Sequence, residues 1–370
     1  MIEYLEIRNY NREIVGRIQD VISIIWKTEY TGTGSFQIVV PFTEEYFSLL
    51  TPDNGYITRP DSRYSELGFI EKQEMTYTAG EGRTLTITGK FGLCLLERRI
   101  AFRKYGPYLL VTRTVGSSAL IEESCTELIE EAFIRNDFTY HNISWVRIGP
   151  EGGYTETVGK SIDFTDTDLL TVIKKILSGA EFGHMFRFDR DDSLNLEYLV
   201  YKGEDTNLVF SQDYNNLLTF NFVHDYENYK SIALVTGDQK GANMICGFGG
   251  NWNSSLIAGP EVRQMVTQSS VTQTYNTPNG EASYTDQQYS DKMGEDWTNN
   301  HDKELDRQFI VSGTVDLSSY KLGVDYSLGD TVLIKDVETG LNKRCRIYAL
   351  TEVQDEGGYF VEAYFEGGND

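Results

Sequence analysis

The chain has 370 residues. A domain built on a single hydrophobic core is usually shorter than this, so two or more domains are expected. Hydrophobic residues make up 40% and aromatic residues 13% of the sequence, which is enough for real cores and argues against disorder. The 33 basic and 56 acidic residues give a formal net charge of −23, which disfavours binding to nucleic acid or to anionic membranes.

The cysteines and the N-terminal sequence point to a reducing, aqueous setting. Cys94, Cys125, Cys246 and Cys345 form no CxxC pair, which is typical of free and mostly buried thiols. The N-terminus lacks a basic region followed by an apolar one, and no apolar run approaches the ~20 residues of a membrane helix. We therefore expect a soluble protein without a signal peptide and without stable membrane insertion.

Residues 1–100 read as short strands separated by turn signals. The stretch SFQIVVPF (35–42) alternates apolar and other side chains at period two, and RTLTITGK (83–90) does the same. Glycines in AGEGR (79–83) favour a hairpin turn before the second of these strands. The pattern predicts antiparallel β structure for this first domain.

Residues 101–206 change character and are predicted to form a small α+β domain. Between 120 and 133, apolar side chains recur at helical spacing and glutamates occupy the opposite side. A second helix is predicted from a capping box formed by Thr165 and Asp168. The stretch 184–201 then reads as a hairpin.

Strands return in 207–250 and again in 309–370, and these two ranges are predicted to form a second β domain together. The intervening segment 251–308 is polar and partly helical. Its helix carries a narrow apolar stripe, which predicts a mostly solvated helix resting on a neighbour. The stripe consists of Tyr289, Met293, Trp297 and Leu305.

The stretches 36–89 and 309–365 have the same order of elements. Each has a strand, then a glycine that turns the chain into a short strand, then a long hairpin, at similar spacing although identity is slight. Two copies of one β module explain this order. The Gly329-Asp330 pair is then a turn, because the first copy has Asn54-Gly55 at that point.

No catalytic or metal-binding constellation is evident around the histidines and cysteines. His141, His184, His224 and His301 form no HxxxH or HExxH pair, and no P-loop, GxSxG or GxGxxG motif follows a strand. Cys125 lies on the buried side of a predicted helix, where a thiol is usually inert packing.

The acidic residues offer no positive sign of a site either. Asp189 and Asp191 have calcium-loop spacing, but Leu194 stands where such a loop requires glycine. The prediction is therefore no catalytic residue, no metal ligand and no cofactor. The abundance of carboxylates leaves glycoside hydrolysis by a carboxylate pair open.

Several widely spaced segments resemble the tail-hub proteins of bacteriophages, which include tail-associated and baseplate-hub proteins. They are SFQIVVPF, LGFIEKQEMTYT, LTITGKFGLCLLERRI and the closing DYSLGDTVLI, which resembles the family's Tyr-x-Leu-Gly-Asp-x-Val signature. GFGGNWN (247–253) departs from the Gly-x-Gly-Glu-Gly run of many siphophage members. The resemblance covers most of the chain.

The resemblance implies a homotrimeric hub in which each chain contributes two tube-like β-barrel domains, here 1–100 and 207–250 with 309–370. Six modules in a pseudo-sixfold ring would adapt a sixfold tail tube to threefold tip components. Implied partners are a distal tail or tail tube ring protein, the tape measure protein, and a receptor-binding, spike or fibre protein. DNA would pass an acidic lumen without specific binding.

The implied location is the virion tail tip or baseplate, after assembly in the bacterial host cytoplasm, and the implied role is structural, not enzymatic. Two alternative functions remain open. A tail-tip cell-wall hydrolase would degrade purified peptidoglycan. A carbohydrate-binding β module, favoured by 24 tyrosines and 4 tryptophans, would expose an aromatic patch.

Overall fold

A computed structural model describes residues 2–52, 55–80, 82–101, 103–105, 109–111, 113–135, 142–164, 167–178, 180–189, 193–237, 244–250, 262–269, 271–277, 280–300, 305–306 and 308–367. The chain divides into two units. Unit 1 comprises residues 1–221 and 311–368, and unit 2 comprises residues 222–310.

The first half of the chain contributes most of the strands. They are β1 (Leu5–Arg8), β2 (Ile14–Ile18), β3 (Ser23–Glu29), β4 (Ser35–Pro41), β5 (Tyr56–Thr58), β6 (Leu67–Thr78), β7 (Gly82–Phe91), β8 (Arg103–Tyr105), β9 (Leu109–Val111), β10 (Arg113–Val115), β11 (Val146–Ile148), β12 (Ile162–Phe164), β13 (Gly183–Phe188), β14 (Leu196–Tyr201) and β15 (Asp205–Ser211).

The second half adds further strands and the longest helix. The strands are β16 (Asn221–Asp225), β17 (Ile232–Thr236), β18 (Cys246–Gly250), β19 (Gln264–Gln268), β20 (Thr274–Thr277), β21 (Gly280–Ser283), β22 (Gln308–Val315), β23 (Thr331–Asp336), β24 (Leu341–Asp355) and β25 (Gly358–Gly367). The helices are α1 (Glu44–Leu49), α2 (Cys94–Glu97), α3 (Ile121–Ile129), α4 (Leu169–Leu177) and α5 (Asp286–Asn300), and a π-helical turn (Glu130–Ile134) continues α3.

With 47% of residues in strands and 15% in helices, the predicted mainly β class is confirmed. One sheet of 13 strands runs through both repeats in the order β16-β22-β25-β24-β3-β4-β7-β6-β5-β1-β2, with β23 pairing β24 and β15 pairing β23. Within the described ranges this sheet is open and does not close into a barrel. Alternation in β3, β4 and β7 buries one face, because successive strand residues point to opposite sides.

The two repeats have the same strand pairing. In the first, β5 pairs β6 and the hairpin partner β7 pairs β4; in the second, β23 pairs β24 and β25 pairs β22. Each hairpin has a bulge at the same place, between Ile70 and Lys72 and between Ile347 and Ala349. Seven paired residues follow each bulge before the turn. Because the bulge falls at the same point in both hairpins, it aligns the residues of the two repeats better than their slight sequence similarity does.

The Gly329-Asp330 pair is a turn. Gly329 has a φ of +94°, which favours glycine, and any Cβ there would meet the Tyr30 ring at 2.2 Å. Asp330 accepts hydrogen bonds from the backbone N–H groups of Ser327 (2.7 Å) and Glu204 (2.8 Å). The carboxylate therefore holds the entry into β23 in place.

The segment between β7 and β15 packs α3 and α4 around a core shared with β13 and β14. The predicted capping box at the start of α4 is wrong in its position. Asp168 itself is the N-cap, because its Oδ1 accepts the Thr171 N–H at 2.9 Å and its Oδ2 accepts the Thr171 hydroxyl at 2.8 Å. Thr165 lies outside the described residues.

Unit 2 contains the sheet β18-β17-β19 and the helix α5. The predicted apolar stripe is confirmed for Tyr289, Met293 and Trp297, which are buried against β17 and β18. It is wrong for Leu305, which lies beyond the end of α5 and is half-buried. At Gly247 a Cβ would lie 2.3 Å from the Ser290 carbonyl oxygen. The glycines of GFGGN thus allow a helix to approach the strand closely.

The four-domain division of the sequence stays a prediction. The structure groups β17 and β18 with the helical segment in unit 2, although both strands fall in the predicted range 207–250. The physical reason is that β17 pairs with β18 and β19, and both β17 and β18 pack on α5.

Candidate assembly surface

The two repeats join inside the chain by strand pairing. The distal half of β24, from Ala349 to Gln354, pairs antiparallel with β3, so that Glu352 lies opposite Trp26. Trp26 is 1% exposed and packs on Phe36 and Phe91, with ring centroids 5.8 and 4.7 Å away. The edge of the second hairpin is therefore covered by the first repeat.

A buried ion pair reinforces this joint. Arg59, which follows β5, contacts Glu352 on β24 at 2.8 Å and lies over the Trp26 ring. Tyr359 donates its hydroxyl to Glu352 as well. Burial raises the pKa of the nearby Glu66, which accepts a hydrogen bond from the Ser62 hydroxyl. The Arg59–Glu352 pair is therefore buried charge that each partner neutralises for the other.

Two tyrosines complete the joint. Tyr64 accepts a hydrogen bond from the Leu328 N–H at 2.7 Å, and burial raises its pKa to about 12. Tyr30 donates its hydroxyl to the Glu181 carbonyl oxygen at 2.9 Å, and the Arg346 guanidinium lies 5.5 Å from its ring centre. Both rings fix the loops on either side of the paired strands.

The corresponding edge in the first hairpin is uncovered. Beyond its bulge, β6 pairs with β7 and has no second strand among the described residues, because β5 reaches only Leu67–Phe69. Met75 is 47% and Tyr77 67% exposed there. Lys72 forms an ion pair with Glu74 on this edge.

β16 is the terminal strand at the other end of the sheet. Its Phe222 and His224 both pack on Phe309 of β22, with ring centroids 5.1 and 5.5 Å away. Val223 of β16 is exposed. Sequence reasoning missed both free edges, although the polar run EKQEMT in β6 is typical of an edge strand.

Among the described residues, His184 and Cys125 are both buried and both hydrogen-bond to the hydroxyl of Tyr198. His184 is fully buried between the Tyr198 hydroxyl and the Thr31 carbonyl oxygen, each 3.0 Å away, and burial lowers its pKa to about 4. Cys125 is buried, which raises the pKa of its thiol. His224 packs on Phe222 in unit 2. His141, His301 and Asp191 lie outside the described residues.

The acidic turn after β13 is held locally. Asp189 accepts hydrogen bonds from the N–H and the hydroxyl of Ser193. Among the residues that the structure describes, no group of three or more His, Cys, Asp or Glu side chains could hold a metal ion. In the same ranges, no helix has both the length and the apolar character required to cross a membrane.

A cleft of about 680 Å³ lies beside β1 and β5. Two of its arginines already have partners within the chain. Arg12 donates to the Leu194 carbonyl oxygen at 3.0 Å and stacks on Trp145, and Arg98 forms an ion pair with Glu71. Among the described residues that line the cleft there is no Cys, His, Asp or Glu.

The sequence profile of a family described as Siphovirus ReqiPepy6 Gp37-like protein matches residues 4–109 and 154–365. No curated protein shows significant sequence similarity to the chain.

Solved structures of phage tail proteins are similar in fold. A tail protein from Neisseria meningitidis MC58 has a TM-score of 0.55 at 14% identity, covering 98% of this chain and 96% of that one. The 43 kDa tail protein of prophage MuSo2 from Shewanella oneidensis has a TM-score of 0.57 at 11% identity, covering 98% of each chain. Prophage tail protein gp18 from Listeria monocytogenes EGD-e has a TM-score of 0.51 at 12% identity, covering 99% and 94%.

Proposed function

The chain belongs to the Siphovirus ReqiPepy6 Gp37-like family and is a phage tail protein, and from this premise we propose that it is the structural hub at the distal end of the tail. In this proposal three copies form a pseudo-sixfold ring. The ring adapts the sixfold tail tube to threefold tip or spike components.

The observation that supports the proposal is the order of strands in the main sheet. The strands β22-β25-β24 of the second repeat, with β16 beside β22, are followed directly by β3 and then by the strands β4-β7-β6 of the first repeat. Two equivalent sets of strands thus follow each other head to tail in one sheet. Three chains of this kind supply six equivalent units around an axis, which is what a sixfold tube requires of a trimer.

The proposed partners follow from that position. A distal tail or tube ring protein would lie on one side, and a receptor-binding, spike or fibre protein on the other, with the tape measure protein inside before ejection. A formal charge of −23 suits a lumen through which DNA passes without sticking, because like charges repel at short range. An inner wall that proved neutral or basic would remove this part of the proposal.

The proposed mechanism is assembly followed by passage of DNA, without bond chemistry. It places the protein at the tail tip of the virion, after assembly in the bacterial host cytoplasm.

The solution mass of the purified protein tests the proposal. We expect a particle of three 42.1 kDa chains by light scattering, and three copies at the distal end of isolated tails by electron microscopy. Incubation with purified peptidoglycan should release no fragments. A monomer that degrades peptidoglycan would instead support the hydrolase alternative.

A further inference from the structure

We propose that the cleft of about 680 Å³ beside β1 and β5 binds an acidic saccharide, meaning a sugar that carries a carboxylate or a phosphate group. In this proposal three arginines hold the acidic group, and aromatic and amide side chains hold the sugar. This binding function goes beyond the structural role proposed above, and it does not depend on how copies of the chain assemble.

The cleft is a positively charged site in an acidic protein. Arg12, Arg98 and Arg99 line it, and its described lining residues include no Asp or Glu, whereas the whole chain has a formal net charge of −23. Elsewhere, Arg187 and Arg344 form ion pairs with acids of their own surroundings. Charge of one sign in a concave site attracts a ligand of the opposite sign. The cleft is therefore complementary to an anionic group.

Arg12 is fixed at the cleft by its turn and by an aromatic ring. Its φ of +68° lies in the left-handed region, and its backbone N–H donates to the Asn9 carbonyl oxygen at 2.7 Å. Its guanidinium lies 4.5 Å from the Trp145 ring centre and donates to the carbonyl oxygens of Leu194 (3.0 Å) and Tyr10 (3.4 Å). A guanidinium has five N–H donors, so a ligand carboxylate or phosphate can accept from those that remain.

The other two arginines are held in a similar way. The Arg98 guanidinium lies 5.6 Å from the Phe69 ring centre and uses one nitrogen in its ion pair with Glu71, which does not line the cleft. The Arg99 guanidinium lies 5.4 Å from the Phe133 ring centre. Burial lowers the pKa of Arg99, so an anion in the cleft would stabilise its charged form. Positioning before binding reduces the entropy that a ligand must overcome.

The rest of the lining suits a sugar. Tyr10 is 70% exposed, and Tyr56 and Trp145 are half-buried. Amide and hydroxyl side chains lie in the same lining, namely those of Asn11, Asn142 and Ser144. The C–H face of a sugar packs on an aromatic face, and sugar hydroxyls exchange hydrogen bonds with amides. The volume also falls within the range of roughly 300–1,000 Å³ that small-molecule sites occupy.

Two other kinds of anionic ligand fit the cleft less well. A long polyanion would be repelled by the acidic surface around the cleft, because the net charge of the chain is −23. An extended acidic peptide binds best along a free strand edge. Here β1 is paired on both sides by β2 and β5, and β5 is paired on both sides by β1 and β6. A compact ligand bound by side chains is therefore favoured.

Ligand-observed saturation-transfer NMR tests the proposal, because it detects millimolar affinity. The probes are glucuronate and glucose 6-phosphate, compared with glucose, inorganic phosphate and a tetraglutamate peptide. We expect the acidic sugars to bind at least about tenfold more tightly than glucose or phosphate alone, because charged hydrogen bonds and stacking act together. Their affinity should fall as salt is added, since salt screens partly exposed charges.

Two variants separate the contribution of charge from that of stacking, and both change exposed residues. Arg98→Met should weaken the acidic sugars about tenfold and reduce the salt dependence of binding. Tyr10→Ala should weaken them about fivefold without changing the salt dependence. The matched control is Arg17→Met, which removes the same charge from a guanidinium 4.9 Å from the Tyr4 ring centre, outside the cleft lining, and should leave binding unchanged. Circular dichroism verifies that each variant folds.

Each outcome decides the saccharide site separately from the proposed hub. Tighter binding of glucuronate, of glucose 6-phosphate or of both supports the site and identifies the acidic group. Equal binding of glucose, of phosphate alone or of tetraglutamate would overturn it, and would indicate a neutral sugar site, a general anion site or a peptide site, respectively. An equal loss in Arg17→Met, or no binding of any probe at millimolar concentration, would overturn it as well. The solution mass that tests the hub is unaffected by any of these results.

Discussion

The hairpins β24/β25 and β6/β7 have the same backbone plan but different neighbours. Each has a bulge followed by seven paired residues. The distal half of β24 is covered by β3, and Ala349, Leu350 and Glu352 are buried there. The distal half of β6 is uncovered in the isolated chain, and its Met75 is exposed.

This difference shows that the shape of each hairpin is set by its own residues, whereas its burial is set by other parts of the chain. The bulge and turn arise from each hairpin's own sequence, whereas burial depends on which strand lies beside it. The covered edge uses apolar side chains and a compensated ion pair. The uncovered edge carries Lys72 and Glu74, charges that discourage indiscriminate pairing with other strands.

The largest expected effect is at the covered edge. Trp26→Ala should lower the free energy of unfolding by about 4 kcal/mol, because it removes a buried ring that packs on Phe36 and Phe91. Met75→Ala on the uncovered edge should change it by less than about 0.5 kcal/mol at concentrations where the chain is monomeric. Urea titration followed by tryptophan-independent circular dichroism measures both. Equal effects would remove the contrast between the edges.

The buried ion pair should give the next largest effect. Arg59→Met leaves the Glu352 carboxylate buried without its cation and should cost about 3 kcal/mol. The double variant Arg59→Met/Glu352→Met should cost clearly less than the two single variants together, as a double-mutant cycle would show. Lys72→Met, which breaks the exposed pair with Glu74, is the matched control and should leave stability unchanged. If the losses in unfolding free energy from the Arg59 and Glu352 variants simply added, the two side chains would not stabilise each other and the proposed ion pair would be wrong.

A pH-dependent effect no larger than that of the ion pair is expected from His184, which holds the turn after β3 through the Thr31 carbonyl oxygen. Burial lowers the pKa of His184 to about 4, below the ~6.5 of an unfolded histidine. The neutral ring therefore stabilises the fold fully above pH ~6.5, and this contribution of up to about 3 kcal/mol is lost as the pH falls towards 4.

The variant His184→Gln isolates this effect from the carboxylates that titrate over the same range. The difference in unfolding free energy between wild type and variant should shrink as the pH falls from 7 to 4. A difference that stays constant with pH would show that His184 does not change its protonation in this range.

Much of the fold was predictable from alternation and turns. Phe36, Ile38 and Val40 are buried on one face as their spacing predicts, and the stripe on α5 packs as expected. The start of α4 was misplaced, because Thr165 and Asp168 satisfy the capping-box pattern while the observed cap uses Asp168 with Thr171. Cap position depends on where the preceding chain turns, and a short motif does not specify that.

The candidate assembly surface was predictable only in part. The duplication was visible in the order of elements, and it pointed to a multimeric ring. The two free edges were not visible, because the pairing of Glu352 with Trp26 joins strands more than three hundred residues apart in the chain.

The sequence by itself determined the β class, the repeat and the role of Gly329-Asp330 as a turn, because alternation, turn residues and glycine geometry act over a few neighbouring residues. Only the tertiary structure decided that the second hairpin pairs with β3 while the first keeps a free edge. Strand neighbours are chosen by long-range packing such as the Arg59–Glu352 pair over Trp26, and no local pattern contains that information.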